Sequence, residues 1–173
     1  MQVIFLGGVH GVGKTTLGLA IASQLDGEHF TASGLIRQAR ASNELLGDKR
    51  VSDLDGNQAL LIAEFARVKA KTSKDVLLLD GHFVLTERSG QIAVIPTDIF
   101  RQLGVTYLIC VVDQIEEIEK RLRQRDGNLP EGIDLDAMQV AEVERAKTVS
   151  TELAAALRFI SPGDFIEGSK FQL

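Results

Sequence analysis

The stretch "GGVHGVGKTTL", residues 7–17, holds Gly8, Gly11, Gly13, Lys14 and Thr15 in the spacing G-x-x-x-x-G-K-[ST]. Three glycines at these positions let the backbone wrap its N–H groups around phosphate oxygens. An apolar run, "QVIFLG", precedes the loop, and a helical period with Leu17, Ile21 and Leu25 follows it. The start of that helix aims its positive end at the same anion. The cradle therefore comprises Gly8, Gly11, Val12, Gly13, Lys14, Thr15 and Thr16. Lys14 reaches the β- and γ-phosphates as a point charge, and the Thr15 hydroxyl is a ligand for Mg²⁺. His10 stands at a variable position of the loop and reads as a loop residue.

A carboxylate must complete such a metal site. Asp80 closes the apolar run "DVLLLD" and so projects from the carboxyl end of a buried strand, where open α/β sheets place ligands. If that strand lies beside the first, Asp80 faces the metal side of the loop. Asp113 closes "VTYLICVVD" in the same way and reads as the N-cap of the next helix. His82, two residues beyond Asp80, either meets a second substrate or has a structural role.

Cationic side chains are the second requirement, because phosphoryl transfer is catalysed mainly by positioning and charge neutralisation. In "IEEIEKRLRQRD", Ile115, Ile118 and Leu122 form a core stripe, and Arg121 and Arg125 share one flank of it. Arg123 points elsewhere. A longer helix is expected over residues 135–157, with Glu142 and Arg145 inside its apolar stripe. Charges on a packing face need a partner or a ligand. A Glu142–Arg145 pair and a phosphate contact by Arg145 both satisfy that need.

The elements that position these groups alternate between strand and helix, which implies an α/β fold with a mainly parallel sheet. "EHFTAS" reads as a short second strand and "SGLIRQARAS" as a helix after it. "NQALLIAEFARVKAKT" is helical, with Asp55 and Gln58 as a capping box. "FVLTERSGQIAVI" reads as a hairpin around Ser89-Gly90, Pro96 opens a brief helix, and the tail supplies a last strand. No repeat or linker interrupts the 173 residues, so one domain over 1–173 is expected.

Composition narrows the function. A net charge of −5 argues against nucleic acid as a partner. With no apolar run of bilayer length and no leader pattern, the expected location is the cytoplasm, without membrane. The single cysteine, Cys110, lies in "YLICVV" and reads as a buried strand residue.

"GGVHGVGKTTL", "VLLLDGH", "IEEIEKRLRQRD" and "QVAEVERA" together resemble the P-loop nucleoside monophosphate kinases, most closely the archaeal-type adenylate kinases. The resemblance implies a three-layer P-loop NTPase fold with a five-stranded sheet, an acceptor-binding arm (about residues 33–57) and a short lid (about 125–135). It implies ATP and Mg²⁺, with γ-phosphoryl transfer to a nucleotide or other small-molecule acceptor. Lys14, Asp80, Arg121, Arg125 and Arg145 would form the catalytic set, Thr15 and Asp80 the metal ligands. Arg37, Lys49, Arg50, Ser52 and His82 would meet the acceptor.

The sequence also departs from the family. The segment "DGHFV" stands where adenylate kinases carry Asp-Gly-Phe-Pro-Arg, and the lid has no cysteines. A nucleotide-dependent binding module that switches a partner interaction is the alternative reading. A homodimer or a protein partner stays open.

Overall fold

The computed structural model describes residues 1–45, 54–87, 90–127, 134–163, 165 and 171. In chain order the elements are β1 (Gln2–Gly7), α1 (Lys14–Gln24), β2 (Glu28–Thr31), α2 (Ala32–Leu45), α3 (Leu54–Lys71), β3 (Val76–Asp80), β4 (Val84–Thr86) and β5 (Ile92–Val94). There follow α4 (Thr97–Leu103), β6 (Tyr107–Val111), α5 (Ile115–Asp126), α6 (Leu135–Leu153) and β7 (Ala156–Ile160).

Five strands pair in the order β2-β3-β1-β6-β7, all parallel. Parallel strands covered on both faces read as unbroken apolar runs. Leu77, Leu78 and Leu79 of β3 and Leu108, Ile109 and Cys110 of β6 are all fully buried. Alternation then sorts their side chains. Val3, Phe5, Leu77, Leu79 and Leu108 pack with Phe65 of α3, Phe100 of α4 and Val149 of α6 on one face. Ile4, Leu6, Leu78 and Ile109 pack with Ile21 of α1 and Leu122 of α5 on the other. Three layers result. Among the described residues no helix is long and apolar enough to cross a membrane.

The expected hairpin forms as β4 paired antiparallel with β5. Three local expectations need correction. Asp55 lies inside α3, which begins at Leu54, so it is not the N-cap. The N-cap of α5 is Gln114 rather than Asp113. The last long helix stops at Leu153, where Ala154 takes the left-handed conformation (φ 51°). Alanines favour helix, but residues 156–160 gain a full parallel ladder with β6 instead, and tertiary pairing outweighs propensity.

Gly7, where β1 ends, is a point of close approach. A Cβ there would lie 2.3 Å from the Phe83 ring. That ring cannot retreat: it is fully buried, edge-on to Phe5 at 5.1 Å and stacked on Phe100 at 5.6 Å. Gly7→Ala should therefore cost about 1–3 kcal/mol through overpacking. Cys110 supplies the readout, since burial pushes its thiol up to about 12 and Glu142 adds to the effect. Thiol-reagent labelling of native protein should be slow, and Gly7→Ala should lower the denaturant midpoint at which Cys110 reacts.

Candidate functional site

The loop between β1 and α1 is built on backbone that L side chains rarely adopt. Gly8, Gly11 and Gly13 have φ of 142°, 81° and 105°. Gly13 is also the N-cap of α1, and a Cβ there would press on Pro162 at 3.1 Å. Lys14 is buried, and its Nζ donates to the carbonyl oxygens of Gly8 at 2.7 Å and Val9 at 2.9 Å. Burial holds its ammonium below the usual lysine range, although Asp80 and Glu142 pull the other way.

Parallel pairing of β1 and β3 sets Leu6 opposite Asp80. This brings Asp80 beside the first turn of α1, where the Thr15 hydroxyl donates to Asp80 Oδ2 at 2.7 Å. The sequence-based placement of Asp80 beside the loop agrees with this geometry. Burial works to raise the Asp80 pKa, but His29, Thr15 and Lys14 more than offset it and hold the carboxyl below the usual range. The nearby His29 Nε2 stands 3.7 Å from Asp80 Oδ2, and its side chain is buried against the position of Gly18. Both Thr15 and Asp80 offer oxygen donors, the ligand type that suits Mg²⁺. Thr15 and Asp80 would leave the other positions around such an ion to phosphate and water, as it prefers. Among the described residues no cluster of three or more His, Cys, Asp or Glu side chains could hold a metal without such help.

Two arginines of α5 approach the loop from its outer side. Arg121 Nε donates to the Gly11 carbonyl at 3.1 Å, and its Nη2 pairs with Asp113. Asp113 is in turn held by the Gln114 N–H at 2.9 Å and the Ser161 hydroxyl at 3.3 Å. Gln139 of α6 grips both backbone groups of Asp113, at 3.1 and 2.9 Å. Arg125 Nη2 lies 2.6 Å from His10 Nε2 and also pairs with Asp126. An arginine can only donate, so His10 Nε2 is the acceptor. Partial desolvation and the Arg125 charge hold His10 below the usual histidine range.

A cavity of about 850 Å³ runs from this loop across the sheet edge. Lys14, Thr15, Asp80, His82, Arg121 and Arg125 all line it. Arg145 and Arg37 are not among its lining residues. Arg145 instead donates to the Ile95 carbonyl at 2.9 Å and to Thr97 Oγ1 at 2.7 Å, which pins the hairpin and α4 to α6. The expected Glu142–Arg145 pair is not made: Glu142 is taken by His82 Nδ1 at 3.0 Å and the Phe83 N–H at 2.7 Å. Arg37 is exposed on α2 and makes no hydrogen bond or ion pair among the described residues. Lys49, Arg50 and Ser52 lie outside the described residues.

Residue spacing offers no hint of His29 or of the Asp113–Arg121 pair. They meet through strand order and helix packing, which no local pattern encodes.

The family model described as AAA domain matches residues 7–139, from the end of β1 into α6. The chain belongs to this AAA domain family. No curated protein matches it in sequence. A gluconokinase from Sinorhizobium meliloti has a similar fold, with TM-score 0.52, 15% identity, and coverage of 92% of this chain and 83% of that one. A shikimate kinase from Acinetobacter baumannii, solved with shikimate, gives 0.51, 17%, 91% and 83%. A shikimate kinase from Bacteroides thetaiotaomicron gives 0.50, 18%, 90% and 85%. The five-stranded parallel sheet flanked by helices is thus the P-loop kinase fold. These likenesses do not extend the resemblance to adenylate kinases in particular.

The Asp113–Arg121 pair has a pH signature. Burial acts to raise the Asp113 pKa, but Arg121, the Gln114 N–H and Ser161 outweigh it and leave the folded value low. Its contribution to stability is therefore complete above the unfolded value of about 3.9 and fades as pH falls through the lower folded value. Asp113→Asn should flatten the acid limb of a Tm-against-pH profile below about pH 4. An unchanged limb would show that the pair does not stabilise the fold.

Proposed function

We propose that the protein is an ATP- and Mg²⁺-dependent kinase that moves the γ-phosphoryl group to a small-molecule acceptor. One observation carries the reading: the Thr15–Asp80 pair lines a cavity whose walls reach beyond the phosphate loop to Ile36 of α2, Leu61 of α3 and Phe100 of α4. A switch or motor needs the loop, but it needs no such room for a second small molecule beside it. The kinase neighbours in fold support a small molecule as the acceptor.

The roles follow from position. The loop N–H groups and the start of α1 hold the β-phosphate, and Lys14 exchanges its two loop carbonyls for phosphate oxygens. Bound Mg²⁺ would supply charge neutralisation between the phosphates, held by Thr15 and Asp80. Arg121 and Arg125 flank the loop mouth and would stabilise charge on the migrating group. Arg145 is assigned a positioning role through Thr97 and Ile95. A nucleotide acceptor, as the adenylate kinase resemblance implies, would enter the cavity beside His82.

A coupled assay of ADP release should show stimulation by at least one acceptor over the water background. Equal, slow release with every acceptor would defeat the reading. Lys14→Ala should reduce nucleotide affinity or turnover by about 10²-fold or more while the circular dichroism spectrum is retained. Arg125→Ala should lower kcat by about 10²-fold with a much smaller change in ATP affinity, because charge grows on the transferring group only in the transition state. Equal losses in both would make Arg125 a binding residue only.

A further inference from the structure

Polar side chains recur along α6 at every third residue, Gln139, Glu142 and Arg145, and each grips a different part of the chain. Glu142 accepts from the Phe83 N–H at 2.7 Å, just beyond β3. Arg145 donates to the Ile95 carbonyl at 2.9 Å and to Thr97 Oγ1 at 2.7 Å. These two anchors fix how α6 lies, and Gln139 stands about one turn before them. Its Oε1 accepts from the Asp113 N–H at 3.1 Å, and its Nε2 donates to the Asp113 carbonyl at 2.9 Å. Asp113 lies past the last ladder pair of β6, Val111 with Ile160. A side-chain amide therefore pairs backbone groups that no neighbouring strand reaches.

From Asp113 the contacts lead to the phosphate loop. Asp113 Oδ2 accepts from Arg121 Nη2, and Arg121 Nε donates to the Gly11 carbonyl at 3.1 Å. Contacts at two of its nitrogens fix the plane of the guanidinium. Among the described residues its Nη1 has no partner, and Arg121 lines the cavity. Gly11 is a point of close approach, since a Cβ there would lie 2.6 Å from Leu122 Cγ. It sits in a turn that the Val12 N–H closes on the Val9 carbonyl at 3.3 Å, a long bond. Lys14 Nζ holds the same Val9 carbonyl at 2.9 Å.

We propose that Gln139 is a positioning residue of the nucleotide site: by holding Asp113 it sets Arg121 against the Gly11 carbonyl and so keeps the phosphate loop in shape. The inference rests on the reading above that the loop binds nucleotide. When Lys14 leaves Val9 for a phosphate oxygen, Arg121 is the side chain that still holds the turn. A loop kept in shape before binding has less freedom to lose when nucleotide arrives. Gln139 touches no substrate; its effect passes through Asp113 and Arg121.

The test uses the full chain and a non-hydrolysable MgATP analogue, with Kd measured by calorimetry. Gln139→Met keeps side-chain length and helix propensity but loses both contacts to Asp113. It should raise Kd about three- to tenfold. Arg121→Ala should raise Kd at least as much, and the double variant should be no worse than Arg121→Ala alone. Losses that add in the double variant would show that Gln139 does not act through Arg121 and would overturn the inference. Should the double variant fail to fold, Arg121→Lys, which cannot span both contacts, takes the place of Arg121→Ala.

Hydrogen exchange without ligand gives a second readout. In Gln139→Met a peptide covering residues 8–14 should exchange about threefold faster or more, while peptides of α3 are unchanged. Faster exchange throughout the protein would mark a bridge that serves stability alone, against the proposal. An unchanged loop or an unchanged Kd also overturns it and leaves the kinase reading intact. Shifted Kd and loop exchange in a protein whose ADP release no acceptor stimulates would uphold Gln139 and sink the kinase reading. Wild-type protein that binds no analogue would sink both.

Discussion

The register between β1 and β3 is the constraint on which the site depends. Leu6 faces Asp80 across the ladder, and Thr31 of β2 faces Asp80 from the other side. A shift of one residue would turn Asp80 to the opposite face and exchange the two sets of core side chains. Both cores resist that exchange, since each alternating residue of β1 and β3 is buried against a different set of helices. Hydrophobic packing on two faces therefore fixes the position of a single carboxylate beside Thr15. The Thr15–Asp80 hydrogen bond of 2.7 Å is the result of that packing rather than its cause.

Electrostatic order around the loop follows a similar logic. The chain carries a formal charge of −5, yet Lys14, Arg121 and Arg125 all stand where the loop opens. Arg121 is kept there by Asp113, whose backbone is gripped by Gln139 and whose carboxylate receives Ser161. Parts of β6, α5, α6 and the segment after β7 thus converge on one guanidinium. Arg125 has a looser setting, with His10 and the exposed Asp126 as partners. The two arginines differ in freedom: one is braced by several elements, the other is tethered within its own helix end and loop.

Much of this was legible in the sequence, for physical reasons that differ by residue. Lys14 and Thr15 were readable because loop chemistry demands fixed spacing over a few residues. Asp80 was readable because strand ends in parallel sheets project toward one edge. The flank shared by Arg121 and Arg125 followed from helical period alone. Arg145 and Glu142 were recognised as misplaced charges on an apolar stripe, but their partners lie 50 and 60 residues away and no period reaches that far. Asp113 was read as a cap because a local role is the simplest for a strand-end carboxylate, whereas packing gave it Arg121. The end of α6 is illegible for a related reason: the alanines near residue 155 favour helix locally, and only the edge of the sheet explains why the chain leaves it.

His29 has a consequence for any selection toward heat resistance. Its Nε2 is buried without a hydrogen-bond partner among the described residues, and its ring stands next to Asp80. A buried polar atom left in that condition costs about 1–3 kcal/mol. An aliphatic side chain at position 29 would recover part of that energy, so a thermostability screen would be drawn to it. The sturdier protein would have lost a neighbour that keeps the Asp80 carboxyl acidic. At this one position robustness and the acidity of Asp80 pull in opposite directions.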